Sequence, residues 1–286
     1  MSGETKVKER RPFVAEADLD LSDPASGPEF KRLYNKYGVL IFRNQSLDTD
    51  QHIRAMQNLG TVHLDWRLIS ILSNKRSDGI LGNAEIDWHS DFAFVEKPNL
   101  TTTLFAMEVG DKVTSTIYAD SVGVLEKLPA ELRARIENLR FMSLYPNSTY
   151  GMRQRLPDYP ADKPRTIQPV IMTDPVTGKR ALFVNETNTD SIVGLPEEES
   201  EALLTELKSY IYAPENTYEH WWENGDVVVW NNITTQHRRG VLDPNQERTL
   251  RRVCVCDGPV EMYMSAGSDR RPAGAMFEGG VALAVA

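Results

Sequence analysis

Apolar runs separated by turn residues divide the chain into short predicted helices and strands. Apolar residues at helical spacing predict a helix over residues 29–37, which Gly38 ends. The uniformly apolar residues 39–42 predict a buried strand. A second helix is predicted over residues 48–59, with an aspartate at its start and Gly60 after its end.

The rest of the chain alternates more strands with two further helices. Helices are predicted over 128–139 and 195–212, the segment 64–85 is expected to be loop and short strand, and the segment 147–165 is expected to be a long loop. Strands are predicted over 100–109, 114–118, 168–173, 180–184, 227–230 and 248–256. Without a repeat or a linker, this pattern predicts one β-rich domain over residues 1–286, with 1–12 and 266–286 peripheral.

Composition and charge narrow the possible partners. The chain is 41% hydrophobic and 26% charged, as is ordinary for a soluble globular protein. Its formal net charge of −9 argues against a nucleic-acid partner and against an anionic membrane surface. A local group of arginines can still bind a small anionic molecule. The expected partner is therefore a small-molecule substrate.

The cysteines and the N-terminal residues bear on the compartment. Cys254 and Cys256 lie on one predicted strand, where neighbours so spaced are poorly placed for a mutual disulfide. The first 30 residues are polar and charged, so no secretory signal is expected. No apolar stretch approaches the roughly 20 residues of a membrane span. We therefore expect a cytoplasmic protein.

The tetrapeptide Trp88-His89-Ser90-Asp91 is a candidate metal motif. In an extended strand, residues two apart point to the same side, so His89 and Asp91 can bind one ion together. The motif is weak alone, since a solvated or structural pair is commoner. His237, which follows the apolar run 227–230, is the best candidate for a third ligand. Two histidines and one carboxylate are typical of a non-haem Fe(II) oxygenase.

Arginines on the last predicted strand form a second candidate site. Arg248 and Arg252 lie on the same side of this strand, and Arg251 lies on the other. An exposed, solvated face would not explain why Leu250 and Cys254 share the side of Arg248. An arginine inside an apolar barrel is costly unless an anion pairs with it. A dicarboxylate cosubstrate would supply that anion.

Taken together, these motifs resemble the taurine / 2,4-dichlorophenoxyacetate dioxygenase family of Fe(II)- and 2-oxoglutarate-dependent oxygenases. The resemblance extends over most of the chain, from about residue 39 to residue 257. The matching features are residues 88–91, residues 116–120, the block 225–232, His237, Arg248 and Arg252. The resemblance implies a mainly β fold with helical decorations, a double-stranded β-helix (jelly roll, cupin-like), and a homo-oligomer.

The resemblance also implies roles for individual residues. His89, Asp91 and His237 would bind Fe(II) and form the catalytic centre. Thr116 and Arg248 would hold the distal carboxylate of 2-oxoglutarate, and Arg252 would lie near its inner carboxylate or near an anionic group of the substrate.

The implied reaction consumes O2 and 2-oxoglutarate and releases succinate and CO2. Hydroxylation of an unactivated C–H of a small, anionic organic substrate is expected, because the Asp91 carboxylate fills a position that a halide would need. Desaturation or rearrangement remains open, as does a bulkier natural-product intermediate as the substrate. The competing classes are a non-catalytic jelly-roll binding protein and a zinc hydrolase with the same three ligands.

Two features bear on the substrate. The family's usual Trp-Asp-Asn is here Trp230-Asn231-Asn232, and Glu85 stands where taurine-specific members have asparagine, which argues against taurine. Aromatic residues could line an apolar pocket, although core packing is the commoner role of each. These are Phe92, Phe94, Trp66 and the segment 145–159.

Overall fold

The fold consists mainly of β-strands. The structure is a computed structural model, and it describes residues 5–146, 155–156, 159–264 and 281–283. Within these residues the strands are β1 (Val7–Arg11), β2 (Val14–Ala17), β3 (Val39–Phe42), β4 (Val62–Leu64), β5 (Ile69–Ser73), β6 (Gly79–Leu81), β7 (Thr101–Val109), β8 (Thr114–Asp120), β9 (Arg140–Leu144), β10 (Arg165–Pro169), β11 (Ile171–Thr173), β12 (Arg180–Leu182), β13 (Thr189–Ile192), β14 (Thr217–Trp221), β15 (Val227–Asn231), β16 (Thr235–Leu242), β17 (Arg248–Val255) and β18 (Val281–Leu283). The α-helices are α1 (Gly27–Lys36), α2 (Thr49–Gln57), α3 (Ser121–Lys127), α4 (Ala130–Ile136), α5 (Glu197–Ile211) and α6 (Val260–Met264), and short 3-10 helices occupy Pro24–Ser26 and Pro214–Asn216.

Two sheets form the framework of the fold. The large sheet has the order β1-β2-β3-β15-β7-β17-β5-β6, and the small sheet has the order β14-β8-β16. Pairing in the large sheet is antiparallel except between β2 and β3 and between β5 and β6. Strands far apart in the chain are neighbours, as where β15 lies between β3 and β7. Smaller sheets join β10-β9-β13, β11-β12 and β18-β4.

The large sheet is covered on both faces, which explains its uniformly apolar strands. Leu40 and Phe42 of β3 pack in a cluster with residues of α1 and α2. Val39 and Ile41 point to the opposite face, where they join a cluster that includes Tyr118 of the small sheet. The two sheets therefore pack face to face, and the predicted double-stranded β-helix is confirmed.

Most of the predicted elements are present. Helix α2 begins at a capping box in which Asp48 and Gln51 exchange side-chain hydrogen bonds with each other's main-chain N–H groups. Strands β11 and β12, which lie within the predicted strands 168–173 and 180–184, pair with each other in antiparallel fashion. The predicted helix over 128–139 is shorter, because α4 ends at Ile136. Of the predicted loop 147–165, residues 147–154 and 157–158 lie outside the described residues, and Arg165 opens β10.

Strands β14 and β16 and helix α3 were not predicted. The strand β16 has the sequence Thr-Gln-His-Arg-Arg-Gly-Val-Leu, in which polar residues occupy both alternating sets of positions. A strand that lines a polar site gives no apolar alternation for a sequence pattern to detect. Helix α3 follows Asp120, whose side chain accepts hydrogen bonds from the main-chain N–H groups of Val122 and Gly123.

Segments near both ends of the chain pair with the sheets. Strand β1 forms the exposed edge of the large sheet, and β18 pairs with β4. Residues 1–4, 265–280 and 284–286 lie outside the described residues. Cys254 and Cys256 are free and buried. Among the helices that the structure describes, none has both the length and the apolar character that crossing a membrane requires.

Candidate metal centre and cosubstrate pocket

His89, Asp91 and His237 come together at one end of the space between the sheets. One ligand atom from each residue lies within 4.8 Å of the others. The motif around His89 is not a continuous strand; His89 instead forms a single antiparallel bridge with His237, through two main-chain hydrogen bonds of 3.0 Å. This bridge joins residues that are far apart in the chain and brings the third ligand to the first two.

Hydrogen bonds orient the three side chains toward a common point. The Nδ1 of His89 lies 2.7 Å from the Asp87 carbonyl oxygen, so Nε2 is left to face Asp91. Thr102 donates from Oγ1 to Oδ2 of Asp91 at 2.8 Å. Asn232 accepts from the Asp91 N–H and donates to the Asp91 carbonyl oxygen, at 2.8 and 2.9 Å. Sequence reasoning gave no role to Thr102 or Asn232, although Asn232 belongs to the matching block.

The electrostatic state of the ligands suits a divalent metal. Burial alone would raise the pKa of the Asp91 carboxyl. The hydrogen bond from His89, and then the electrostatic pull of His237 and Arg252, outweigh burial and lower that pKa. Burial, followed by the neighbouring His89, lowers the pKa of His237 to about 3. An ionised carboxylate and a neutral imidazole are the forms that coordinate metal ions.

The distances between the ligand atoms also fit one ion. The Oδ1 of Asp91 lies 3.4 Å from Nε2 of His89 and 4.0 Å from Nε2 of His237. Donor atoms that are each about 2.1 Å from a shared ion lie roughly 3 to 4 Å apart. The donor set and its spacing therefore fit Fe(II) in a 2-His-1-carboxylate arrangement.

All six residues singled out from the sequence line one cavity of about 40 Å³. Thr116 comes from the small sheet, and Arg248 and Arg252 come from the large sheet. The remaining lining residues are Leu72, Leu81, Ile86, Thr102, Leu104, Trp230 and Arg239. The sequence did not single out Arg239, whose position two residues beyond His237 on β16 was the available signal.

Arg248 is a buried cation at the cavity wall. It is 4% exposed, and its Nε has no hydrogen-bond partner among the described residues. Burial, and then the charge of Arg239, lower the pKa of Arg248 to about 9. Thr116 accepts a hydrogen bond of 2.9 Å from Nε1 of Trp222, so its hydroxyl keeps its own proton for another partner. This wall therefore offers donors to an anion.

Arg252 lines the same cavity. Its Nη2 donates to the carbonyl oxygen of Arg67, and its Nε is buried with no partner in the described part of the chain. Burial raises the pKa of the Asp91 carboxyl, and the charge of Arg252, after the contacts of the two histidines, contributes to lowering it. The arginine between the two, Arg251, points to the opposite face of the sheet, as predicted, and contacts His52.

The structure shows the surroundings of Asn231 and Glu85, the two residues at which the chain departs from the family pattern. Asn231 donates from Nδ2 to Asp174 Oδ2 at 2.8 Å and accepts from the N–H groups of Ile233 and Thr234. An aspartate at position 231 would set two carboxylates against each other. Glu85 is exposed and lines an outer cavity beside the site.

The aromatic residues proposed for an apolar pocket pack elsewhere. Phe92 and Phe94 contact each other, Phe92 contacts Tyr263, and Phe94 contacts Tyr145. The ring of Trp66 lies against the guanidinium of Arg67. The apolar wall of the cavity is instead aliphatic, apart from Trp230.

Comparison with known proteins decides the family. The family model for the taurine catabolism dioxygenase TauD, TfdA family matches residues 6–254. The chain belongs to this dioxygenase family. The predictions of the fold, of an oxygenase, and of Fe(II), 2-oxoglutarate and O2 as its cofactors and cosubstrates are thereby confirmed. Family membership favours an oxygenase over both a zinc hydrolase and a non-catalytic binding protein.

Individual relatives are similar to this chain over most of their length. Pentalenolactone F synthase of Streptomyces avermitilis is 31% identical over 87% of this chain and 92% of its own. The alpha-ketoglutarate-dependent 2,4-dichlorophenoxyacetate dioxygenase of Cupriavidus pinatubonensis is 28% identical over 85% of this chain and 94% of its own. The crystal structure of AAD-2 in complex with Mn(II) and N-oxalylglycine aligns with a TM-score of 0.75 at 26% identity, covering 90% of this chain and 98% of that one.

Proposed function

We propose that this dioxygenase hydroxylates an unactivated C–H of a small anionic substrate at an iron held by His89, Asp91 and His237. The observation that carries the proposal is the convergence of these ligands with Thr116 and Arg248 in one cavity. The bound iron would supply the activation of O2 that drives 2-oxoglutarate to succinate and CO2. The protein positions the reactants around it.

Neighbouring polar groups hold the side chains of the ligands in the orientations that bind a metal ion. Thr102 and Asn232 fix the Asp91 carboxylate and its main chain, and the Asp87 carbonyl fixes the His89 ring. Because Asp91 provides a carboxylate ligand, we propose hydroxylation rather than halogenation. Apolar side chains such as Leu104 and Trp230 limit the access of water to the reacting groups.

For the cosubstrate, we propose that Arg248 and Thr116 bind the distal carboxylate of 2-oxoglutarate. A buried guanidinium without a protein acid needs an anion, and a carboxylate matches its planar donors. The unpaired Nε of Arg252 supports a contact with an anionic group of the substrate. The similarity to a 2,4-dichlorophenoxyacetate dioxygenase supports a carboxylate in that position.

A bulkier natural-product intermediate is the second candidate substrate. The similarity to a pentalenolactone F synthase, over 87% of this chain, favours it. Hydroxylation, desaturation and rearrangement would then be alternative outcomes of the same hydrogen abstraction.

The metal assignment is tested by adding Fe(II) and 2-oxoglutarate without oxygen and recording the visible spectrum. The wild type is expected to show a charge-transfer band, and His89→Ala is expected to lose it. His52→Gln is the matched control, because His52 is buried on the other face of the large sheet. Absence of the band in the wild type, or its persistence in His89→Ala, contradicts the assignment.

The substrate class is tested by substrate-stimulated succinate release. Aryloxy-carboxylates, sulfonates and terpenoid-like acids are compared with neutral analogues of the same size. Stimulation by neutral analogues alone would reject the anionic substrate.

We further propose that the chain forms one cytoplasmic domain that assembles into a homo-oligomer. Cell fractionation would test the compartment, and light scattering would test the assembly.

A further inference from the structure

Arg239 is the one charged residue of the cavity wall to which neither the sequence motifs nor the proposed function gives a role. It lies on β16 two residues beyond His237, so both side chains point to the cavity side of the strand. Its strand neighbour across the sheet is Thr116 of β8. Side chains directly opposite in an antiparallel pair lie on the same face with Cβ atoms about 5 Å apart. Arg239 is therefore next to the proposed site of the distal carboxylate.

Only part of the Arg239 guanidinium is used by the protein. Nη1 donates to the carbonyl oxygens of Gly82 and Ala84, at 2.9 and 2.6 Å. Nε and Nη2 are buried and have no hydrogen-bond partner among the described residues. Arg239 and Arg248 line the same cavity, and neither forms an ion pair with an acid in the described part of the chain. Arg248 is buried and Arg239 is half-buried, but both keep buried N–H donors without a protein partner among the described residues, which one anion between them would satisfy.

The hydrogen bonds of Arg239 hold residues 82–86, which we call the strap. The main-chain N–H of Arg239 also donates to the Ile86 carbonyl at 3.0 Å, so one residue fixes three points of the strap. Leu81, just before the strap, has a φ of +66° and lines the cavity. A leucine in the left-handed region is strained, so its conformation depends on surrounding contacts such as these.

The strap separates two cavities. The inner cavity of about 40 Å³ holds the metal ligands, and an outer cavity of about 480 Å³ lies on the other side. Ile86 of the strap and Arg239 line both cavities, whereas strap residues 83–85 line only the outer one. Moving the Arg239 side chain would thus alter both the inner pocket and the wall that closes it.

We infer that Arg239 is a positioning residue that binds the distal carboxylate of 2-oxoglutarate together with Arg248 and holds the strap over the occupied pocket. The inference rests on the proposed function, because it requires the distal carboxylate to bind beside Thr116. Binding of the cosubstrate neutralises two neighbouring cations and fixes the guanidinium that holds the strap. Occupancy of the pocket therefore orders residues 82–86.

The test compares two 2-oxo acids of equal chain length in the presence of Mn(II), which avoids turnover. 2-Oxoglutarate carries the distal carboxylate, and 2-oxovalerate ends in a methyl group instead. Arg239→Gln is expected to weaken 2-oxoglutarate binding about tenfold or more, as for loss of a charged hydrogen bond, and to change 2-oxovalerate binding by less than about twofold. Arg76→Gln is the control, since Arg76 pairs with Asp78 at the surface near the strap.

Hydrogen exchange provides a readout that is independent of activity. In the wild type, 2-oxoglutarate but not 2-oxovalerate is expected to slow amide exchange in residues 82–86. In Arg239→Gln, this response should be absent. If Arg239→Gln does not fold, Arg239→Lys is used: it keeps the charge and part of the discrimination between the two acids, but loses the exchange response.

Two results would overturn the inference. One is an Arg239 variant that binds 2-oxoglutarate as the wild type does. The other is an equal loss of affinity for both acids, which indicates a merely structural role. If the wild type itself binds 2-oxoglutarate no better than 2-oxovalerate, the proposed distal-carboxylate site fails instead, so the two failures are distinguishable.

Discussion

Arg248 and Arg251 lie three residues apart on β17, are equally buried at 4% exposure, and differ in what surrounds them. Arg251 donates from Nε to His52, from Nη1 to Thr49, and from Nη2 to two main-chain carbonyls at the start of α2. Arg248 faces the cavity, where its Nε has no partner among the described residues. Burial lowers the pKa of both guanidinium groups, Arg251 to about 10 and Arg248 to about 9.

Their hydrogen-bond partners indicate that Arg251 has a structural role, whereas Arg248 is available to bind a ligand. The protein itself satisfies the donors of Arg251, so that residue joins helix α2 to the large sheet. The guanidinium of Arg248 is removed from water, and among the described residues it lacks the hydrogen bonds that offset this cost for Arg251. A folded protein retains such an unsatisfied group where a bound anion completes it. Burial alone does not distinguish the two arginines, whereas their hydrogen-bond partners do.

The largest expected effect is on activity, from Arg248→Met. Succinate release at low 2-oxoglutarate should fall by about 100-fold or more, equivalent to about 3 kcal/mol. The free energy of unfolding of the metal-free protein should stay the same or rise, because an unpaired buried charge is removed. The measurements are succinate assays and urea unfolding. A variant that is both active and destabilised would make Arg248 structural, like Arg251.

Arg251→Met should show the reverse pattern. It leaves His52 Nδ1 and the Leu47 carbonyl without a donor among the described residues, at about 1 to 3 kcal/mol each before relaxation, whereas the Asp48 carbonyl still accepts from the His52 N–H at 3.1 Å. We expect a loss of about 3 kcal/mol in the free energy of unfolding, measured with urea. The affinity of the folded protein for 2-oxoglutarate should stay within about twofold. A large loss of affinity without a loss of stability would remove the distinction between the two arginines.

Ligand-induced stabilisation sharpens the same contrast. With Mn(II) present, N-oxalylglycine at about 100 times its dissociation constant should stabilise the wild type by about 2.7 kcal/mol. Arg251→Met should gain the same increment from its lower starting stability, and Arg248→Met should gain almost none at that concentration. Equal increments in both variants would indicate that the ligand does not contact Arg248.

The smallest expected effect concerns the partner of Arg251. Burial, and then the charge of Arg251, lower the pKa of His52 well below its ordinary value, so folded His52 stays neutral. The unfolded state takes up a proton near pH 6.5, so acidification below that pH favours unfolding. His52→Gln should reduce the slope of unfolding free energy against pH by about 1.4 kcal/mol per pH unit between pH 6 and 5. An unchanged slope would mean that folded His52 takes up the proton too.

Local patterns in the sequence determined much of the fold. Helices α1, α2 and α5 and strands β3, β15 and β17 follow from apolar spacing, because each element buries a regular set of its own side chains. The two cavity arginines could be assigned to one face of β17 because side chains alternate along a strand. The candidate ligands could be named from their residue types, although residues 88–91 do not form the extended strand on which their common face was argued. The alternation of side chains along a strand does not show which face of one sheet packs against which face of the other.

The remaining contacts of the site depend on long-range packing. The bridge between His89 and His237, the contacts of Asn232 and Thr102 with Asp91, and the strap held by Arg239 all join residues far apart in the chain. The local sequence around each of these residues does not specify which distant residue it contacts. Residue types and local spacing therefore indicate which kinds of chemistry this chain can carry out. Long-range packing of the two sheets decided which donors stay unsatisfied, because satisfaction depends on partners that local patterns do not specify.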